Sequence, residues 1–500
     1  MRRLAAVAVV ACLSALIGAH LLSQQAPRLT PVELTIHPQA ASAPFPHFWE
    51  QIFGSGRAIL SLRDSYRRDL RAMKANTGIQ YIRFHAIFHD EVGVYDEDPS
   101  GKPLYNWSYV DQIYDGLLAN GVRPFVELSF MPRKLAASLE PHAFWYKPLP
   151  SPPKSYDKWE ALIYNFARHL VERYGADEVS QWYFEVWNEP NIDFWTGQPK
   201  QATYFELYDH AVRAIKRANS RLRVGGPTTA QAAWVSAMIA HSVEARVPLD
   251  FVSTHVYAND SSEDVFGSHE TIPRSDMVAR TVRKVFKEVK ESKRPDLPIY
   301  WSEYNASYKN EVDITDSTFM GPWLANNIRL CDGFATSLSY WTFSDVFEEQ
   351  GVPKTPFYGG FGLIGEGGVP KAAFNAFAML HRLGDQRLSA ELTNALVTKR
   401  ADGTLAIAVW NYADTSDRGT TQQVRIAIDG WNPAPRFRVE ILDRDHGSAL
   451  TAWKAMGAPA FPTRQQYESL RRVATETEKL NTSTFMLAPQ GLALVEVQPE

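Results

Sequence analysis

Short apolar segments alternate with longer amphipathic segments between residues 48 and 384. The short segments carry apolar side chains at adjacent positions, which is typical of parallel strands buried on both faces. The longer segments repeat apolar residues every three or four positions, as amphipathic helices do. The pattern predicts eight strands, at residues 48–53, 81–87, 124–130, 183–187, 222–225, 250–257, 298–304 and 338–342.

Helices are predicted between these strands, and an eighth-repeat helix is predicted at 372–383, after Pro370. Gly78, Gly121 and Gly175 occur where helix C-caps are expected. The other predicted helices cover residues 62–75, 109–119, 159–174, 204–218, 277–290 and 320–331. Repeated strand–helix units of this kind predict an α/β fold, a (β/α)8 TIM barrel over residues 46–384.

The pattern changes after Gly384, where turn signals such as Asp-Gly and Asn-Pro separate short strand-like runs. Strands are predicted at residues 405–411, 423–428, 437–443 and 492–497. We therefore expect residues 385–500 to form a β-sandwich domain appended to the barrel. A strand from residues 30–45 is expected to join it, and residues 457–479 are expected to be helical or irregular.

The N-terminal residues 1–26 form a separate segment, with Arg2 and Arg3 before an apolar run from Leu4 to Leu22. A basic start followed by an apolar stretch is typical of an export signal. The run is also long enough to act as an uncleaved anchor. The expectation is export to the periplasm or the extracellular space, with membrane attachment only if this segment is retained.

Composition narrows the choice of function. With 45% hydrophobic and 22% charged residues, the chain has the make-up of a globular protein. A formal net charge of −4 provides no cationic surplus for a phosphate backbone, so a nucleic-acid partner is not expected. Cys12 and Cys331 are the only cysteines, and the His85-x3-His89 pair has no third ligand nearby. No metal and no cofactor are predicted. The oligomeric state is left open.

Two glutamates occur at the ends of predicted barrel strands, where the active sites of TIM barrels lie. Strand four runs into Asn188-Glu189-Pro190, and strand seven ends in Ser302-Glu303-Tyr304. A pair of carboxyl groups across the barrel mouth is what cleavage of a glycosidic bond requires: one group protonates the leaving oxygen and the other acts at the anomeric carbon.

Longer motifs carry a resemblance to a known family. Asn188-Glu189-Pro190 with Glu303 resembles the signature of the retaining glycoside hydrolases of clan A. The chain is similar to glycoside hydrolase family 39, and to its β-xylosidase branch more than its iduronidase branch. The matching motifs are Arg83-Phe84-His85, Asp90-Glu91-Val92-Gly93, Arg123-Pro124-Phe125-Val126-Glu127, Phe130-Met131-Pro132, the segments 339–349 and 359–365, and Asp445-His446-Gly447.

The resemblance implies a role for each matching residue. Glu189 would be the acid/base and Glu303 the nucleophile of a retaining mechanism. Asn188 would bond the sugar 2-hydroxyl, and Trp341 would be the stacking floor. The remaining implied substrate-binding residues are His85, which would contact a hydroxyl, His255 and Tyr257 beside the nucleophile, and Glu348 and Glu349, of which at least one would accept hydrogen bonds from ring hydroxyls.

The substrate expected from these residues is a neutral sugar, because Glu348 and Glu349 would repel a uronic-acid carboxylate. The branch of the family makes xylose the expected glycone and gives an exo-acting β-D-xylosidase that works on xylo-oligosaccharides. One alternative is a related glycosidase acting on another β-glycoside or an exopolysaccharide. Another is a non-catalytic carbohydrate-binding protein. The loop at 258–275 varies within the family, which leaves the outer subsites open.

Overall fold

The computed structural model describes residues 29–431, except 416 and 418, and residues 435–498. The predicted leader at 1–26 therefore lies outside the described residues. The strands are β1 (Thr30–Ile36), β2 (Ser42–Pro44), β3 (Ile52–Arg57), β4 (Tyr81–His85), β5 (Tyr95–Glu97), β6 (Pro103–Tyr105), β7 (Arg123–Leu128), β8 (Tyr183–Val186), β9 (Arg223–Thr229), β10 (Phe251–Tyr257), β11 (Ile299–Asn305), β12 (Ser337–Tyr340), β13 (Ile364–Gly365), β14 (Val369–Pro370), β15 (Gln386–Leu388), β16 (Ala395–Lys399), β17 (Leu405–Trp410), β18 (Gln422–Ile428), β19 (Arg436–Leu442), β20 (Glu478–Leu480), β21 (Thr484–Leu487) and β22 (Leu492–Gln498).

The α-helices are α1 (Asp64–Asn76), α2 (Ser108–Ala119), α3 (Tyr156–Tyr174), α4 (Ala176–Val179), α5 (Lys200–Ala218), α6 (Val235–Glu244), α7 (Ser262–Phe266), α8 (Met277–Lys290), α9 (Val312–Thr315), α10 (Met320–Cys331), α11 (Ala372–Leu380), α12 (Leu450–Ala455) and α13 (Arg464–Thr475). Short 3-10 turns lie at Ala58–Leu62, Ala230–Ala232 and Glu366–Gly368. None of the described helices is both long and apolar enough to cross a bilayer.

Eight strands close into a parallel barrel in the order β3, β4, β7, β8, β9, β10, β11 and β12, so the predicted TIM barrel is confirmed. Each strand is followed by a helix that packs its apolar face on the barrel; in α8, for example, Val278, Val282, Val285 and Val289 are fully buried. A layer of aromatic and aliphatic side chains fills the end where the strands begin, namely Ile52, Phe125, Tyr183, Phe251 and Tyr300.

Three local predictions differ from the structure. The first barrel strand runs from Ile52 to Arg57 instead of 48–53, because Phe48 and Trp49 are core side chains that precede the strand. The glycines of this strand add no side chains to the apolar pattern, so the pattern does not reveal the strand. Glycine is required at position 54 because a Cβ there would overlap the ring of Trp341. Likewise, β9 continues past the predicted end at 225 through Gly226 to Thr229. Helix α6 was not predicted, although it completes the fifth repeat.

The C-terminal part forms two packed sheets, one of seven strands (order β2-β15-β16-β17-β22-β19-β20) and one of three (β1-β18-β21). Strand β17 shows how they pack, since its side chains alternate between two faces. Leu405, Ile407 and Val409 face the core between the sheets, whereas Ala406 and Trp410 join the barrel core. The seven-stranded sheet is thus buried on both sides. The segment 457–479, expected to be helical or irregular, contains helix α13, which begins with a capping box.

A buried ion cluster ties the chain after β12 to helix α11. Lys371 Nζ lies 2.6 Å from Asp316 Oδ1 and 2.7 Å from Asp345 Oδ2, and all three side chains are buried. Lys371 also donates to the Gly360 carbonyl at 2.9 Å, and Asp345 accepts from the Gly362 amide at 2.7 Å. The cluster therefore fixes the backbone that continues from Trp341 to Phe361.

Replacing Lys371 by methionine is expected to lower the free energy of unfolding by about 3–5 kcal/mol, because two buried aspartates lose their counter-ion. Chemical denaturation with a matched Lys293→Met control measures this, since Lys293 is exposed and its replacement is expected to change stability by about 0.5 kcal/mol or less. Equal stability of the two variants would show that the cluster contributes no such energy.

Candidate active site

The C-terminal ends of the barrel strands surround a cavity of about 270 Å³, near the lower end of the volumes typical of ligand pockets. It is lined by His85, Phe144, Asn188, Glu189, Ile192, Phe194, Ala230, Gln231, Tyr257, Asp260, Glu303, Tyr308, Trp341, Glu349, Gln350 and Phe361. Seven of the nine predicted site residues line this cavity, among them His85, Asn188, Glu189, Tyr257, Glu303 and Trp341. Glu349 is the seventh.

Glu189 and Glu303 approach each other across this cavity. Glu303 points inward from β11, and Glu189 follows β8 with a φ of 44°, a left-handed conformation that is uncommon for a residue with a side chain. One oxygen of each carboxyl and one nitrogen of His255 lie within 4.8 Å of one another. The structure therefore brings together the two glutamates that the sequence placed on different strands.

Arg83 is the centre of the charge network beneath the two glutamates. It is fully buried on β4. Its Nε donates to Glu185 at 2.6 Å and its Nη1 to Glu303 Oε1 at 2.7 Å. Its Nη2 donates to Asn188 Oδ1 at 3.0 Å and lies 2.7 Å from Glu127 Oε2. One guanidinium thus orients the candidate nucleophile and the amide beside Glu189 together.

No role in the site was predicted for Arg83, Glu127 and Glu185. The signal that could have found them is the presence of charged residues inside strands that are otherwise apolar. Charged side chains are almost never fully buried without a partner, so charges of opposite sign on β4, β7 and β8 had to meet inside the barrel. The structure shows that pairing directly.

Glu303 is held at both oxygens. Oε1 accepts from Arg83, and Oε2 accepts from the Tyr257 hydroxyl at 2.6 Å. The Tyr257 ring lines the cavity from the end of β10, so the predicted place of Tyr257 beside the nucleophile agrees with the geometry. These two bonds fix the carboxylate plane, which prepares one orientation for attack.

Glu189 lies in a different environment. Burial raises its pKa to about 7, although the charges of His85 and Arg83 oppose the rise. Its Oε1 lies 2.9 Å from His255 Nδ1. Burial also lowers the pKa of His255 to about 4, which keeps this imidazole neutral near pH 7. Glu189 can therefore hold a proton at a pH where an exposed glutamate is ionised.

His255 was predicted to bind substrate, and the structure corrects this expectation. The side chain has no exposed surface and does not line the cavity. It lies behind the two glutamates: Nδ1 is 3.8 Å from Glu303 Oε1, and Nε2 is 3.2 Å from the Ser302 hydroxyl. Its position makes it a support for Glu189 rather than a contact for a sugar.

His85 faces the cavity from the end of β4 and forms an ion pair with Glu127 at 2.7 Å. Burial alone lowers the pKa of His85, but the adjacent Glu127 charge raises it above its usual value overall. Its Nε2 lies 3.7 Å from both Glu303 Oε1 and Glu349 Oε1. A hydrogen-bond donor therefore faces the space between these two carboxyl groups.

The neighbouring residues Glu348 and Glu349 point in different directions. Glu349 lines the cavity, and burial raises its pKa to about 8. Glu348 has a φ of 67° and points the other way, where Arg57 donates to it at 3.0 Å and Arg63 forms a bidentate contact. At least one of the two was expected to bind the sugar; Glu349 is the one that faces the cavity, whereas Glu348 is corrected to a supporting position because two arginines occupy its carboxylate.

Trp341 lines the cavity immediately after β12, and its ring lies over Gly54 on β3. It packs on His85 with ring centroids 4.6 Å apart, and the Arg83 guanidinium lies 5.8 Å from its centroid. A flat indole face at the base of a polar cavity is suited to the C–H face of a sugar ring. The predicted stacking position of Trp341 is compatible with this placement.

Within the part of the chain that the structure describes, two clusters have the spacing to hold a metal ion: Glu189–His255–Glu303, and a second formed by His47, Glu50 and His381. In the first, the Arg83 guanidinium already supplies a positive charge to Glu303 at 2.7 Å. In the second, Glu50 accepts bonds from both histidines and from the Gly78 amide at 2.9 Å. Protein donors therefore already bind the carboxylates of Glu303 and Glu50. That the protein holds no metal remains a prediction.

Comparison with known proteins gives consistent matches. The model of the family "Glycosyl hydrolases family 39" matches residues 32–486. A β-xylosidase of Geobacillus stearothermophilus is 37% identical over 471 residues, which cover 90% of this chain and 92% of the relative. A β-xylosidase of Caldicellulosiruptor saccharolyticus is 34% identical over 444 residues, covering 87% and 90%. The crystal structure of a monomeric β-xylosidase from Caulobacter crescentus CB15 superposes with a TM-score of 0.84 at 32% identity, covering 93% of this chain and 99% of that one.

Proposed function

This chain belongs to glycosyl hydrolase family 39, and from this membership we propose that it is a retaining, exo-acting β-D-xylosidase that releases terminal xylosyl units from xylo-oligosaccharides. The observation that carries the proposal is the cavity itself. It contains the Glu189–Glu303 pair, a stacking tryptophan and hydrogen-bonding groups, and no lysine or arginine is found among the described residues that line it.

Retention is supported by the separation of the two glutamates. Carboxyl groups about 5–5.5 Å apart are typical of retaining glycosidases, whereas inverting enzymes need about 6.5–9.5 Å to admit a water molecule. Oxygens of Glu189 and Glu303 lie within 4.8 Å of each other. At this distance Glu303 is placed to attack the anomeric carbon directly.

A neutral glycone is supported by the charges around the cavity. A uronic acid would require a cationic partner for its carboxylate. The arginine in the site, Arg83, is fully buried behind Glu303 and is paired with it. The cavity instead presents Glu349, whose carboxyl suits hydroxyl groups and supplies no positive charge for an acidic sugar.

Exo action is supported by the loop contacts on the Glu349 side. The Trp145 amide donates to the Glu349 carbonyl at 2.8 Å, which joins the loop after β7 to the loop after β12. Arg57 on β3 links Glu348 to Glu91 at 3.0 and 2.8 Å. These connections join the loops on the Glu349 side of the cavity, an arrangement that favours binding of a chain end.

The geometry then accounts for two steps. In the first, Glu303 attacks the anomeric carbon while Glu189 protonates the glycosidic oxygen, and the leaving alcohol departs. In the second, Glu189 takes a proton from water, which attacks the same carbon and releases Glu303. Loss of the Glu303 charge in the intermediate removes a repulsion and lets Glu189 ionise, as its role as base requires.

The test is hydrolysis of a panel of aryl glycosides by the purified protein. We expect the highest kcat/KM for the β-D-xyloside, and NMR should show β-xylose as the first-formed anomer. A far higher kcat/KM for a β-glucoside or an α-L-arabinopyranoside would contradict the xylose assignment and favour another glycoside. First formation of α-xylose would contradict retention.

We also propose that residues 1–26 act as an export signal. Expression of the full chain and of a chain lacking these residues, followed by cell fractionation, measures it. The full chain should reach the periplasm or medium, or the membrane if the segment is kept, while the shortened chain stays inside the cell. Equal distribution of the two forms would contradict the proposal.

Glu349 yields a prediction that depends on its raised pKa. A carboxyl with a pKa of about 8 is mainly protonated at pH 6, and glutamine resembles that neutral form. We expect Glu349→Gln to keep kcat/KM within about tenfold of the parent, and Glu349→Ala to lose about 100-fold through lost hydrogen bonds to the sugar. Equal losses in the two variants, measured with the aryl xyloside, would contradict a protonated Glu349.

A further inference from the structure

Asp260 is a buried acid in the cavity that the two-step mechanism does not use. Only 9% of its surface is exposed, and its side chain lines the cavity together with Glu189. Burial of a carboxyl group is costly unless its oxygens are hydrogen-bonded. In the described part of the chain, Oδ2 accepts one bond, from the Tyr257 amide at 2.7 Å, and no protein donor reaches Oδ1.

The backbone around Asp260 holds it in this position. The Asp260 amide donates back to the Tyr257 carbonyl at 3.0 Å, which closes a tight turn at the end of β10. Asn259 clamps the turn to the loop after β11, because its side chain donates to Ser307 at 3.1 Å and accepts from the Tyr308 amide at 3.0 Å. A carboxyl with an unused oxygen is thus presented to the cavity on a fixed support.

The barrel order assigns Asp260 to the side of the leaving group. His85 ends β4, and Trp341 and Glu349 follow β12, so these glycone contacts lie around one part of the rim. Asp260 follows β10, which lies four strands from β4 in the closed barrel and therefore directly across the mouth. Glu189 follows β8, which is two strands from β4 and two strands from β10, so it lies between these sides. Its proton is delivered to the glycosidic oxygen, so the departing group extends toward Asp260.

Two neighbours make this side suitable for a sugar. Gln231 lines the cavity after β9, with a φ of 59° and its Nε2 donating to Asp264 at 3.1 Å, so the amide is held in place. Tyr308 also lines the cavity, with 46% of its surface exposed, and packs edge-on against Tyr257. An accessible aromatic ring beside fixed polar groups is an arrangement that matches the C–H face and hydroxyl groups of a pyranose.

We propose that Asp260 determines leaving-group specificity by hydrogen bonding a hydroxyl of the departing sugar, so that saccharide leaving groups are favoured over alcohols without ring hydroxyls. The proposal rests on the proposed glycosidase function and adds the recognition of the second sugar. Asp260 is a specificity-determining residue here; it takes no part in the transfer of protons or of the glycosyl group.

The experiment compares two substrates with the same glycone and different six-membered rings: xylobiose and cyclohexyl β-D-xyloside. Both leaving groups are alcohols that need protonation by Glu189, but the cyclohexyl ring has no hydroxyls. For Asp260→Ala, the ratio of kcat/KM for xylobiose to kcat/KM for the cyclohexyl xyloside is expected to fall about tenfold or more. The matched control is Glu263→Gln, an exposed acid in the nearby helix α7, which should leave the ratio unchanged.

Asp260→Ser provides a second variant in case the alanine protein does not fold. Serine can still accept from the Tyr257 amide but is too short to reach as far into the cavity, so the same fall in the ratio is expected. An unchanged ratio in the folded variants would overturn the proposal, even if both activities fell, because Asp260 would then only support the turn or Glu189. If the parent protein prefers another glycone, the proposed function fails separately, and the substrate pair is rebuilt on that glycone.

Discussion

Replacing Glu303 by alanine is expected to reduce kcat/KM for an aryl β-xyloside by about 10,000-fold or more, as removal of a catalytic nucleophile does. The physical reason is geometric. Arg83 and Tyr257 fix both Glu303 oxygens, and one of these oxygens lies within 4.8 Å of the Glu189 carboxyl. Among the described residues around the cavity, no other carboxylate is held in this way. Glu291→Ala, at an exposed position, is the matched control and should retain full activity.

Added azide distinguishes the role of Glu303 from a structural one. In Glu303→Ala the small cavity left by the side chain admits azide on the face opposite the leaving group, and the expected product is the α-xylosyl azide. Recovery of activity with this inverted product identifies the nucleophile. If the variant kept its activity, or if azide produced only the β-xylosyl azide, Glu303 would not be the nucleophile.

Glu189→Ala is expected to give the second-largest loss, and its size should depend on the leaving group. General acid catalysis contributes about 100- to 10,000-fold, and this contribution is needed most by poor leaving groups such as the second sugar of xylobiose. A phenol of low pKa departs with little assistance. We therefore expect a large fall in kcat/KM for xylobiose and a small fall for a 2,4-dinitrophenyl xyloside, whose turnover becomes limited by the second step.

The same residue sets the alkaline side of the pH profile. Glu189 must be protonated in the first step, and burial raises its pKa to about 7. In the parent protein, kcat/KM for xylobiose should therefore fall as the pH rises through about 7, and this fall should be absent in Glu189→Ala. Azide should rescue the variant and give the β-xylosyl azide. Equal losses for both substrates, with the alkaline limb intact, would assign the proton donor to another group.

The sequence was sufficient to predict those parts of the site that depend on strand ends. Glu189 and Glu303 were found because a polar residue that ends an apolar parallel strand must lie at the barrel mouth. The residues that sequence reasoning did not place are those whose role depends on packing between distant strands. Arg83 is one, because its partners Glu127, Glu185 and Glu303 come from three other strands.

The directions in which individual side chains point could not be predicted from the sequence either. Glu348 and Glu349 are identical neighbours, and only the positive φ of Glu348, with Arg57 and Arg63 around its carboxylate, turns it away from the cavity. His255 lies two residues before the end of its strand and His85 ends its own, yet only His255 is covered by the glutamates that it supports. The start of β3 was misplaced because Gly54 carries no side chain that would mark the strand, a consequence of the Trp341 ring lying against it.

The central claim, that Glu303 forms a covalent bond to the glycone, can be tested most directly by trapping. A 2-deoxy-2-fluoro-β-D-xyloside with a good leaving group should inactivate the protein, since the fluorine slows the second step more than the activated first step. Proteolysis and mass spectrometry should then locate one fluoroxylosyl group on the peptide that contains Glu303, and none in Glu303→Ala. A label on Glu189 or on another residue, in a protein that hydrolyses the unsubstituted xyloside, would contradict the claim.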